Sequence, residues 1–438
     1  MGKSKISLYS CIGIIVSGCI GSAIFSLSGL TMYYAGASCI ISWIIAAVIQ
    51  GVYGAEVSEL SLHYGKSAGV YAFPAMSLGR IYGFMASWGY VVANIIAISF
   101  SAIYVGTYLS VSFVSFSGFQ IPIAICSIAL CALLNLRNIR DMGRSNIAML
   151  IFLVVLMIAY SAIAFTHGDF SFDRFVPFFK GSKGNFGFIA AVPNALVAYG
   201  GVVSVAFIVE NVDKPKRNIP LSLMAGLAVV VVLYLMMLVS TLGHIDYAYL
   251  ENNPGMRFIP MFAASFSSMG DIGFLPKIIS LGAVLALLTT MLILGYLTAT
   301  AMRGMALDGT LPAVFAKCNG NEAPAVSILT YALISCALSL KPSFAEMLVN
   351  LGSLVSVIIM VIVIASFVKM KSSGKKFALS ALVGCLTIAA MLACYAPGIL
   401  SGGWQVWAFT VAVYAVGAAV YLMIGSKART NLTDSFDY

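Results

Sequence analysis

Gly18-Cys19-Ile20-Gly21-Ser22-Ala23-Ile24-Phe25 lies at the centre of an apolar run from about Ile6 to Met32, long enough to cross a bilayer as one helix. Yet Ser17, Gly18, Gly21 and Ser22 crowd into that centre. Glycine loses the most backbone entropy in a helix, and serine offers the backbone competing hydrogen bonds. A spanning helix weakened there presents amide and carbonyl groups where water cannot satisfy them. Such backbone persists only where it lines a protein cavity, and there its groups can hold a polar ligand. The alternative is that small residues let a neighbouring helix approach closely. The stretch alone does not decide between the two.

Composition settles the class. The chain has 438 residues, 61% hydrophobic and 9% charged, with mean hydropathy +1.01. Soluble domains carry roughly 25% charged residues, so this is a polytopic helical membrane protein. Lys3 and Lys5 before an apolar run imitate a signal peptide, but many equivalent segments follow, and the run reads as a first span. The net charge of +9 does not indicate a nucleic-acid partner, because the basic residues lie in short clusters between apolar runs. Nine cysteines show no metal-ligand spacing, and Cys126, Cys131, Cys385 and Cys394 lie inside apolar runs, where small buried packing is the usual role. Neither a disulfide nor a metal site is expected, and no cofactor is implied.

Outward from the opening stretch, runs long enough to span fall at about 7–32, 38–62, 82–110, 121–136, 146–166, 186–210, 220–243, 276–303, 324–340, 345–369, 377–397 and 404–425. With the N-terminus inside, 18 of the 24 Lys and Arg fall in cytoplasmic segments, which follows the positive-inside rule and places both termini in the cytoplasm. Two external connections are long, 167–185 and 244–275; segment 63–81 reads as interfacial, and the tail 426–438 is polar and short.

The sixth run repeats the anomaly of the first. Around Asn194-Ala195-Leu196-Val197-Ala198-Tyr199-Gly200-Gly201, just after Pro193, an apolar helix meets an Asn and a Gly-Gly pair. The first and sixth runs correspond if the chain holds two five-helix halves, 1–166 and 186–369, followed by a helix pair at 377–425. The first then runs outward and the sixth inward, so the halves are inverted. Interrupted helices at matching places in two halves point to a transporter's midplane site.

Four passages carry a resemblance. Gly18 to Phe25 is similar to G-x-I-G-S-G-I-F, with Ala23 in place of the last Gly. Ser67-Ala68-Gly69-Val70-Tyr71-Ala72-Phe73 resembles P-G-G-x-Y-x-Y, without the Pro and first Gly. Glu210 to Pro220 looks like E-x-x-x-N-P-x-R-N-I-P, and Arg303 to Pro312 resembles R-x-x-x-x-D-G-x-L-P. In this order across the chain they resemble the amino acid–polyamine–organocation family of transporters, including its basic amino acid/polyamine antiporters. The resemblance implies an all-α fold of twelve transmembrane helices: two inverted five-helix repeats, as in a bacterial leucine transporter, plus two C-terminal helices.

The resemblance also implies a substrate site between the broken helices. The N–H groups of Ser22, Ala23 and Ile24, next to Ile20 and Gly21, would hold an α-carboxylate at a positive helix end. Carbonyls at Cys19, Val197 and Gly200 would accept from an α-ammonium. Asn94 matches a position that touches the distal end of the substrate in the family's arginine–agmatine exchanger; an Asn at mid-membrane depth favours that role over a helix–helix hydrogen bond. Tyr199 could gate the substrate or simply pack. Tyr90 and Tyr296 read more plainly as packing. Val197 and Leu294 stand where that exchanger has Trp, which removes a cation–π platform and favours a neutral or smaller amino acid.

Coupling is less legible. Leu153 matches the position of a fifth-helix Lys in some proton-dependent relatives. Thr289 and Thr290 fall where sodium-coupled members place hydroxyl ligands, although Thr in a membrane helix usually bonds its own backbone. Glu56 and Glu210 are the acids nearest the apolar zone; pairing with basic loops is the plain reading and proton transfer the sharper one.

These readings converge on a secondary transporter of amino acids or related amines, an exchanger or proton-coupled symporter, in a plasma membrane of bacterial inner-membrane type. A sodium-coupled symporter and a non-transporting amino acid sensor are the alternatives. An enzyme is not expected: His63, His167 and His244 lie near loops, and neither H-x-x-x-H nor G-x-S-x-G occurs. A channel lacks its filter or charge ring. Membrane lipid and a small-molecule substrate are the expected partners, and a homo-oligomer stays open.

Overall fold

The computed structural model describes residues 5–64, 69–137, 142–269, 272–372, 379–401 and 403–425, and in these the chain is almost wholly helical. The tail 426–438, the motif residues Ser67 and Ala68, and the side chain of Glu210 lie outside the described residues. In chain order the helices are α1 (Leu8–Cys19), α2 (Ser22–Ala35), α3 (Cys39–Tyr64), α4 (Gly69–Ser77), α5 (Arg80–Ser112), α6 (Gln120–Asn135), α7 (Met142–Thr166) and α8 (Gly187–Ala198). After a 3₁₀ segment, Gly200–Asn211, come α9 (Pro215–Leu242), α10 (Tyr247–Asn252), α11 (Pro260–Ser267), α12 (Leu275–Leu307), α13 (Ala325–Ser339), α14 (Ala345–Ser372), α15 (Leu379–Ser401) and α16 (Gly403–Met423).

Among the described residues, eight helical stretches are long and apolar enough to cross a membrane. The shorter apolar helices Leu8–Cys19, Gln120–Asn135, Ala325–Ser339 and Ala381–Cys394 accompany them. This is a multi-pass membrane protein.

One of the eight, Ser22–Tyr64, bends back on itself. Trp43 Nε1 donates to Thr31 Oγ1 at 3.0 Å. Twelve residues apart on a straight helix, these groups would be separated by about 18 Å, so the chain reverses between α2 and α3. The reversal is at Gly36, with φ +61°, where a Cβ would sit 2.1 Å from the Lys180 carbonyl oxygen. Only glycine fits there. The last carbonyls of α2 would otherwise be unpaired, as at any helix C-terminus. The 167–186 connection satisfies them: Ser182 N–H donates to the Tyr33 carbonyl at 3.0 Å and Lys183 N–H to that of Tyr34 at 3.2 Å. Two side-chain ties hold the same end. Tyr34 donates to Glu346 Oε1 at 2.6 Å, and the Arg257 guanidinium lies 3.6 Å from the centre of the Tyr33 ring.

The two long connections also meet at His244. It is buried, donates through Nε2 to the Ala164 carbonyl at 2.7 Å, and bonds Ser268 through Nδ1. Burial lowers its pKa first; the Ala164 bond partly offsets this and nearby Arg174 adds to it. The folded chain therefore binds fewer protons than the unfolded one near pH 6, so stability rises with pH there. His244 contributes that stability above its unfolded value, near 6.5, and loses it as pH falls toward the depressed folded value. Thermal unfolding in detergent from pH 8 to pH 5 should show a melting temperature falling by a few degrees, with a shallower fall in His244→Gln.

Candidate functional site: two interrupted helices

The first apolar helix is interrupted where Gly21 removes the Cβ. Ile20 is extended at φ −73°, ψ 96°, and Gly21 adopts φ −146°, ψ −147°, before α2 begins. Gly21 caps α2 with no side chain. Its neighbour Ser22 N–H donates instead to Thr290 Oγ1 on α12, at 3.1 Å. The next amides, of Ala23 and Ile24, lie in the first turn and have no intrahelical acceptor, at the end where the helix dipole is positive.

The sixth apolar run is also interrupted. α8 stops at Ala198, Tyr199 turns, and Gly200–Asn211 continues as 3₁₀ helix. Twelve residues of 3₁₀ exceed the usual three or four, a departure associated with strain or hinging. Within α8, Asn194 Oδ1 accepts from Ser353 at 3.2 Å, and Gln50 Nε2 donates to the Leu196 carbonyl at 3.0 Å.

The two interruptions touch. A Cβ on Gly201 would lie 2.0 Å from the Gly18 carbonyl carbon and 2.3 Å from its oxygen. Tyr234 of α9 bridges them: its hydroxyl is 2.5 Å from the Cys19 carbonyl and 3.1 Å from that of Ala198, each the last helical carbonyl before its break. Further along, Ile6 N–H donates to Asn211 and Asp213 N–H to Ile6, at 2.7 and 2.9 Å, so the chain start is laced to the end of the 3₁₀ segment.

A cavity of about 80 Å³ lies beside the first break. Ile20 and Gly21 line it together with Leu153 of α7 and Thr289, Thr290 and Leu294 of α12. Its wall is apolar apart from the broken backbone, Ser17 and the two threonines. Thr289 Oγ1 donates back to the Leu285 and Ala286 carbonyls, and Thr290 Oγ1 donates to Ala286 at 2.8 Å while accepting from Ser22. Neither threonine hydroxyl proton is left over, and Thr290 works as a tie between α12 and the start of α2.

The structure brings together Ile20, Gly21, Thr289 and Thr290 around the cavity, with Ser22 joined to them through Thr290. Cys19 departs from expectation: its carbonyl is already held by Tyr234 and the residue is buried. Val197 and Gly200 are exposed but do not line the cavity. The Tyr199 ring is fully buried, edge-on to Trp43 at 5.9 Å and tilted on Tyr234 at 5.2 Å, with its hydroxyl unpartnered among the described residues. It packs and does not face the cavity. Asn94 is buried on α5, within reach of Tyr90 but away from the cavity wall, and its Nδ2 has no partner among the described residues. Tyr296 is exposed. Glu56 is buried and meets Thr387 of α15 rather than a basic loop.

Reading the sequence did not single out Tyr234 or Trp43. A polar hydroxyl inside the otherwise apolar run 220–243 was the available signal.

With this geometry in hand, comparison with known proteins gives one consistent result. A family model described as amino acid permease matches residues 6–420. The methylthioribose transporter of Bacillus subtilis (strain 168) is 28% identical over 68% of this chain and 67% of its own length. The branched-chain amino acid permease BcaP of the same organism is 24% identical over 77% and 75%. Its aspartate-proton symporter is 26% identical over 72% and 63%. These relatives are transporters and not enzymes.

Proposed function

The chain belongs to the amino acid permease family, and from that premise we propose that it is a secondary active transporter of amino acids working by alternating access. The observation that carries this reading is the contact between two helix interruptions, Ile20–Gly21 and Tyr199–Gly200, beside a cavity. The substrate α-carboxylate meets the Ala23 and Ile24 amides at the start of α2, and the α-ammonium meets the backbone carbonyl at Ile20, the residue of this break that lines the cavity. This recognition needs no charged side chain, whose burial in a membrane is costly. Twelve crossings in two inverted halves, 1–166 and 186–369, with α15 and α16 outside the repeat, accommodate the observed helices. The first, second, sixth and seventh crossings rock against the rest. Both termini lie in the cytoplasm of a bacterial inner membrane.

A neutral amino acid fits best, because Val197 and Leu294 offer no aromatic face to a guanidinium. Exchange or proton symport is the reading favoured over sodium coupling, since Thr290 Oγ1 already spends a lone pair accepting from the Ser22 N–H.

Counterflow in proteoliposomes tests the reading. Vesicles loaded with one unlabelled amino acid at a time should accelerate entry of a labelled mixture for a neutral subset; silence across all twenty, with protein folded and inserted, overturns it. In the same assay Asn94→Val should alter the ranking of amino acids. Its thermal stability should change by less than about 1 kcal/mol or rise, because the lost Nδ2 was unpaired.

A further inference from the structure

We propose that Glu56 is a proton-carrying group that couples the transport cycle to a pH gradient; this rests on the transporter reading above. Glu56 lies within α3, 4% exposed, two turns before the helix end at Tyr64. A carboxylate buried at such depth without a counter-charge is expensive. No charged group among the described residues bears on it. Of the elements packed against α3, helices α2, α4, α8 and α15 contain no Asp, Glu, Lys or Arg. On α14, Lys371 is taken by Glu59, and Lys369 is also engaged. Lys216 and Arg217, at the start of α9, are exposed, and the Glu210 side chain lies outside the described residues. The titratable neighbour is Tyr53 on the same helix, with Tyr90 of α5 beyond it.

The hydrogen bonds point to a neutral carboxyl. Thr387 Oγ1 lies 2.9 Å from the Val383 carbonyl and 3.4 Å from Glu56 Oε1. A hydroxyl has one proton and can serve one of these acceptors. The shorter approach assigns it to Val383, which leaves two oxygens, Thr387 Oγ1 and Glu56 Oε1, facing each other with no proton between them. A proton on Glu56 supplies the missing donor, and the chain then runs Glu56 to Thr387 to Val383 with every donor matched. The second carboxyl oxygen, Oε2, is buried without a partner among the described residues. No other bond therefore holds the carboxyl in its charged form, and the proton on Oε1 can come and go with only the Thr387 contact at stake.

The position gives the proton a role. Glu56 sits on the second crossing, which moves in the proposed cycle, and Thr387 sits on α15, outside the repeat. When the bundle rocks, the Glu56–Thr387 contact opens, water reaches the carboxyl, and the proton passes from Glu56 to that water; uptake on the other face reverses the step. One proton then accompanies each cycle.

The test compares two assays on one set of proteoliposomes, using the labelled mixture of twenty amino acids as probe. Wild type should accumulate label under an inward-acid gradient, approaching about tenfold per pH unit at one proton per substrate. Glu56→Gln should lose that accumulation, ending at equal concentrations, while counterflow persists. Accumulation retained in Glu56→Gln overturns the proposal, as does a wild type indifferent to the gradient while counterflow is active. Silence in wild-type counterflow defeats the transporter reading itself. Should Glu56→Gln also lose counterflow, Thr387→Val decides. A displaced pH midpoint of gradient-driven uptake supports the role of Glu56, and an unmoved midpoint overturns it.

Discussion

Gly201→Leu is expected to abolish counterflow completely while leaving the protein inserted in the membrane. The residue has no space for even a methyl group: its Cβ would fall 2.0 Å from the Gly18 carbonyl carbon and 2.4 Å from the Cys19 amide nitrogen. These are backbone atoms, which cannot swing aside as a side-chain tip could. The first helix would have to withdraw from the 3₁₀ segment, and the broken ends would no longer share a site. Overpacking of a close-packed interior costs about 1–3 kcal/mol even where side chains can adjust, and here the adjustment falls on the machinery itself. Gly201→Ala should already be severely impaired, because the clash begins at the Cβ. Rates near wild type in a well-expressed Gly201→Ala would show that the two breaks need not touch during transport. Chromatographic profile and helicity of the purified variant separate loss of function from loss of fold.

Tyr234→Phe should bring the second-largest loss. The change deletes one oxygen and keeps the ring, so the packing on Trp43, centroids 5.1 Å apart, is retained. What disappears is the donor that faces the Cys19 and Ala198 carbonyls. Both residues are buried at 3% exposure or less, and an unsatisfied buried acceptor costs about 1–3 kcal/mol. The two carbonyls share one hydroxyl proton, so the lower half of that range, about 1–2 kcal/mol, is the sensible figure for stability. Transport should fall further than stability, by tenfold or more, because this hydroxyl sets the spacing of the broken ends. The measurement is initial counterflow rate beside melting temperature in detergent. A rate unchanged from wild type would reduce Tyr234 to a packing residue.

The positions of both breaks were legible in the sequence because glycine, serine and asparagine are conspicuous in apolar runs, and their physical meaning is local. The helices themselves were legible for the same reason: hydropathy is counted along the chain. The partners of the breaks were not. Tyr234 meets Cys19 across 215 positions, and Thr290 meets Ser22 across 268. Nothing in local pattern says which polar residue on a distant helix will face a given carbonyl. The same limit explains Glu56, whose acidic type suggested the basic loops while the fold set it against Thr387. The 3₁₀ conformation of Gly200–Asn211 was equally hidden, since its residues, Val-rich after the glycines, read as ordinary apolar helix. Tyr199 shows the converse case: both readings, gate and packing, were available, and the Trp43–Tyr234 cluster supplies the packing.

The bonds from Ser182 and Lys183 to the end of α2 make the connection 167–186 and that helix one mechanical piece. Gly21 is then a fulcrum, and the connection is the far end of a lever. The arm is fourteen residues, or about 21 Å. A tilt of roughly 10° at the broken backbone would carry the connection about 4 Å, by the same helix geometry. A ligand that settles the backbone at the fulcrum by a fraction of an ångström is thus read out at the connection as a movement many times larger, and a grip on the connection would be felt at the fulcrum.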